Sequence, residues 1–90
     1  MILRTVIESI EVRSKVDAEG KIYPRLDEAF SALKWWLSHD PESGELIDDY
    51  HWLYKQGGDK RKKIPALVAI YTFDHDSVEI LALLVKLPHL

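Results

Sequence analysis

Cysteine is absent from the chain. Disulfides, thiolate catalysis and zinc–thiolate sites are excluded with it, and the absence fits a reducing cytoplasm. Glycine and proline are sparse, four of each in 90 residues, with no internal repeat, low-complexity tract or linker; one domain over 1–90 is the reading. No apolar run reaches the roughly 20 residues that cross a bilayer, so no membrane role is expected. No basic stretch leading into an apolar segment and a small-residue cleavage site opens the sequence, so no export signal is expected. Cations are in the minority: 12 lysines and arginines face 15 aspartates and glutamates, a formal net charge of −3. That balance argues against a chain that coats nucleic acid indiscriminately. The histidines have no partners at metal-ligand spacing, and Gly57-Gly58 lacks the Lys-Ser/Thr that completes a phosphate-binding loop. Neither a metal, a cofactor nor a small-molecule ligand is expected.

What is present is mostly apolar, 47% of the residues against 30% charged, ordinary for a globular chain. The richest stretch is Ile64–Leu87. Two apolar runs, Ala66–Phe73 and Val78–Val85, flank the turn-forming Asp74-His75-Asp76-Ser77, as in an antiparallel hairpin. Strict alternation puts Leu67, Ala69, Tyr71 and Phe73 on one face of the first strand. In the second it opposes Val78, Ile80, Ala82 and Leu84 to Glu79, Leu81, Leu83 and Val85. Both faces of the hairpin are apolar, as in strands covered on each side.

Leu26, Phe30, Leu33 and Leu37 recur at helical spacing, with Ala29 and Trp36 widening the stripe. Pro24 suits the first helical position and Pro41 stops the helix, which predicts a helix over about 24–38. Between Glu45 and Lys55, Tyr50, Trp52 and Tyr54 alternate with His51, Leu53 and Lys55, as a strand with one aromatic face would. Ile2–Ile7 suits a first strand. The segment over 8–20 stays open: Ile10–Val16 alternates like a half-buried strand, yet Leu3, Ile7 and Ile10 stand at helical spacing. Asp17-Ala18-Glu19-Gly20 reads as a turn, with Gly20 free to take positive φ. The fold class is α+β: a small antiparallel sheet of about four strands, with one or two helices packed on one face.

Several of these segments resemble the RelE/ParE toxin superfamily. They are the helix with its stop (Leu33-Lys34-Trp35-Trp36-Leu37-Ser38-His39-Asp40-Pro41), the Ser43-Gly44 turn, and Ile64-Pro65 leading into Ala69-Ile70-Tyr71-Thr72-Phe73-Asp74. The resemblance covers about Leu26–Lys86. It implies a strand, two helices and three C-terminal strands, with the open segment largely helical. It further implies a cytoplasmic toxin acting on ribosome-bound mRNA or on gyrase, silenced by an antitoxin-like protein. The chain departs from that pattern where the hairpin usually carries Arg after its first Tyr: Leu67 and Val68 stand in those two places.

RNA cleavage needs cations to stabilise a pentacoordinate phosphate and groups that move protons. The candidates for catalysis are Tyr71, Lys86 and His89; for nucleic-acid contact, Lys60, Arg61, Lys62 and Lys63. The plainer reading stands first for each: a solvated loop for the basic run, a core or sheet-face aromatic for Tyr71 and a frayed terminal residue for His89. Asp48 and Asp49, placed on opposite faces of a strand, make no acid–base pair. Ninety residues provide one helical layer and little to cover the other sheet face, so a protein partner is expected there, a second copy or an antitoxin-like segment. The candidate contacts are Leu81, Leu83 and Val85.

Overall fold

The computed structural model describes residues 3–87. In chain order it forms β1 (Thr5–Glu8), α1 (Ile10–Glu19), α2 (Leu26–His39), β2 (Glu45–Leu46), β3 (Trp52–Gln56), β4 (Ala66–Phe73) and β5 (Ser77–Lys86). The strands make one sheet in the order β1-β5-β4-β3-β2. The α+β class with helices against a small sheet is therefore present. The sheet has five strands rather than about four, and it is mixed rather than wholly antiparallel, because β1 runs parallel to β5. The chain leaves β1 through both helices, and a crossover of that kind is what parallel pairing requires.

The open segment is a helix. Ser9 starts it, in extended conformation, its hydroxyl accepting from the Val12 N–H at 3.1 Å, which satisfies one of the donors a helix start leaves unpaired. Only Val12 and Val16 of α1 are buried, an i, i+4 pair on one face; Ile10 is 86% exposed. Gly20 closes α1 with φ −62° and has no left-handed conformation. α2 begins at Leu26, two residues later than the proline suggested, because a turn closed by Leu26 N–H to the Tyr23 carbonyl precedes it. Its Leu26, Ala29, Phe30, Leu33 and Leu37 are buried, whereas Trp36, expected to widen the stripe, is 48% exposed.

The predicted 45–55 strand is two strands. Asp48 accepts the N–H groups of Tyr50 and His51 at 2.8 and 2.7 Å. This turn brings Ile47 N–H to the His51 carbonyl and folds β3 back along β2. Asp48 and Asp49 lie in this loop, not on a strand.

One core cluster fills the space between both helices and one sheet face. β4 contributes Leu67, Ala69 and Tyr71; β5 contributes Val78, Ile80 and Leu83. Strict alternation cannot place Ile80 and Leu83 together, and a bulge does so. Tyr71 pairs with Ile80, but Ile70 pairs with Ala82, leaving Leu81 as an extra residue. Beyond it every side chain changes face. The trio Leu81, Leu83 and Val85, expected on a partner-facing surface, is thereby corrected. Leu83 is 8% exposed within the core, Val85 packs against it, and Leu84, at 46% exposure, faces outward. The Leu81 carbonyl accepts from the Ser9 hydroxyl, tying the bulge to the start of α1.

Candidate phosphate-binding end and the sealed tyrosine

β3, β4 and β5 converge at one end of the sheet. Gln56 pairs with Leu67 and Lys55 with Val68, while Ala66 pairs with Lys86. The chain from β3 to β4 turns there through Lys60-Arg61-Lys62-Lys63. The turn is pinned at its base by reciprocal backbone bonds between Asp59 and Ile64, each 2.9 Å, and by the Asp59 carboxylate accepting from Lys62 N–H. Gly58 is needed at the neck of this loop, because a Cβ there would overlap the Ile64 carbonyl and the Ala66 nitrogen. Lys63 has φ 59°, the left-handed region in which a lysine is strained. From the helical layer, Arg25 donates to the Lys62 carbonyl at 3.0 Å while pairing with Glu28. The basic run is thus a fixed hairpin loop docked to the start of α2.

The sequence marks Lys60–Lys63 and Lys86 separately; the strand register brings them to one end and adds Lys55, which no sequence pattern marks as a site residue. Its only signal in the sequence is its place at the end of the alternating 50–55 run. Lys55, Lys60, Arg61, Lys62, Lys63 and Lys86 are all exposed. They are half of the chain's 12 lysines and arginines, and the nearby carboxylate in sequence is Asp59. Among the described residues Arg13, Lys15, Arg25 and Lys34 stand in ion pairs, and these six do not. Charges of one sign crowded together without counter-charges are a ready contact for phosphates.

The opposite end is acidic. Asp40, Glu42, Asp48, Asp49, Asp74 and Asp76 cluster in the loops beyond α2, before β3 and between β4 and β5. The Asp48 carboxyl is held below the usual carboxylate range by the N–H groups of Tyr50 and His51. Asp74 is held down likewise by those of Asp76 and Ser77, which close the β4–β5 turn.

Tyr71 does not fit a catalytic role. It is fully buried beneath α2, and its hydroxyl donates to the Pro41 carbonyl. Burial pushes the phenol up to about 12, with partial relief from the Gly44 N–H. A Cβ on Gly44 would overlap the same hydroxyl and the Leu53 carbonyl, so the Ser43-Gly44 turn is shaped around this ring. Tyr71 is corrected from proton donor to structural latch. Lys86 is exposed at the cationic end, and His89 lies outside the described residues. No cluster of metal-binding side chains occurs among the described residues, and no helix there is long and apolar enough to cross a membrane.

The fold and the charged end define a small α+β protein with one cationic end. No family model, curated protein or solved structure matches the chain.

Proposed function

We propose that this chain is a RelE/ParE-like protein of a toxin–antitoxin pair. It contacts the phosphates of its target, ribosome-bound mRNA or gyrase with its DNA, through the cationic end, and a protein antitoxin silences it. The observation that carries this reading is the set of six exposed cations, free of ion pairs among the described residues, gathered at the end of β3, β4 and β5. The run of elements, a strand, two helices and three longer C-terminal strands after the two-residue β2, is the order the resemblance implies.

A second reading is favoured by the sealed Tyr71 and by Leu67 and Val68 standing where the resemblance expects arginine: a catalytically inert interaction domain on the same fold. Inducible expression in a bacterium separates the two. Growth arrest with cleaved transcripts identifies an RNase, and arrest with broken DNA a gyrase poison; either should be relieved by changing Lys60, Arg61, Lys62 and Lys63 to Gln. Absence of arrest identifies the inert domain.

A further inference from the structure

Both helices cover one face of the sheet, and the bulge in β5 decides what the other face shows. Val68 and Ile70 of β4 stand there beside Ala82 and Leu84 of β5, with Ile7 of β1 next to Glu79. Ile7 and Leu84 are each 46% exposed. On β4 and β5 the charges of this face sit at the two ends; on the edge strand β2, Glu45 stands level with Leu53, Ile70 and Ala82. Glu79 lies towards the β4–β5 turn and Lys86 at the far end, and both are exposed; Lys55 on β3 is level with Val68 and Leu84. Between them the strip on β4 and β5 is apolar. Its midpoint along β5 falls at Ala82, the smallest side chain in the strip, where two sheets approach most closely.

We infer that this face packs against the same face of a second copy, about a twofold axis that crosses the strands near Ala82, so that Lys86 of each chain meets Glu79 of its partner. A twofold contact is self-complementary by construction. This strip satisfies that condition because its charge changes sign from one end to the other about an apolar, small-residue centre. A twofold axis running along the strands would instead set Lys86 against Lys86. The arrangement buries apolar surface the chain's own helices leave open and sends the two cationic loops to opposite ends of the pair. It stands apart from the toxin reading, since an inert domain would carry the same strip.

Sedimentation equilibrium on the full chain tests the inference, with circular dichroism to confirm that each variant is folded. The wild type should dimerise in a concentration-dependent way. Leu84→Asp, outside the core, should raise the dissociation constant at least tenfold while leaving the fold intact. Glu79→Lys and Lys86→Glu should each weaken the dimer, because each sets like charges opposite one another. Mixed in equal amounts, those two variants should form a heterodimer, since one then presents only cations at the two positions and the other only carboxylates. A monomer at high concentration, a dimer indifferent to Leu84→Asp, or charge variants that ignore each other would overturn it. So would a face protected from hydrogen exchange only when a different, co-expressed protein is bound.

Discussion

Tyr71 holds its phenol where solvent does not reach, and the energetic consequence can be read by titration. The buried hydroxyl, bonded to the Pro41 carbonyl, resists ionisation up to about 12, against 10 for an ordinary tyrosine. The unfolded chain ionises first, so the stabilising contribution is whole below pH 10 and is lost as pH climbs from 10 towards 12. Tyr71→Phe should cost about 1–3 kcal/mol at neutral pH, the penalty of leaving the buried carbonyl unpaired. Urea unfolding of both proteins between neutral and alkaline pH should show the wild type losing its advantage over the variant as the phenol ionises; parallel curves would refute the latch. Lys63 gives the opposite case. Its φ of 59° is unstrained for glycine, so Lys63→Gly should raise unfolding stability by about 1 kcal/mol, whereas Lys63→Gln removes the charge and keeps the strain.

Among the elements, β5 is the one whose pattern hides its geometry. Because Leu81 is a bulge residue, Leu83 belongs to the core and Leu84 to the surface. Leu83→Ala should cost about 2–5 kcal/mol, and Leu84→Ala, in dilute solution, no more than about 0.5 kcal/mol; equal losses in denaturant titrations would show that the strand alternates without a break. The strands over 66–73 and 78–85, the latter extending to 77–86 in the structure, and the α2 stripe are legible in the sequence because apolar side chains are dense there. The bulge is not, since a run apolar at nearly every position looks the same in either register. α1 was ambiguous for the reverse reason: its burial rests on Val12 and Val16, too few to outvote an accidental alternation, and the decisive signal was the single Ser9 cap. The separation of β2 from β3 hangs on one carboxylate, Asp48, and such local turn chemistry is faint beside three alternating aromatics. At the candidate site the charges could be read from the sequence, but their convergence depended on strand register. The sealing of Tyr71 depended on how the turn after α2 folds over it.

At the scale of the whole molecule, the cationic end should confer a salt-dependent grip on nucleic acid. Neutralising Lys60, Arg61, Lys62 and Lys63 should flatten the dependence of affinity on salt by about 0.7 of slope per lost single-strand contact, or about 0.9 per duplex contact. Filter binding across a salt series measures it, and an unchanged slope would return the run to a solvated loop. The polarity of the chain also governs events before contact. With cations beyond one end of β4 and carboxylates beyond the other, some 26 Å apart at about 3.3 Å per residue, the molecule has a permanent electric dipole despite its modest net charge. In the field of an approaching polyanion that dipole feels a torque, and the protein turns its basic loop forward while still a Debye length away. The distant aspartates touch nothing on such a target, yet they repel it and so narrow the range of orientations in which the two first collide.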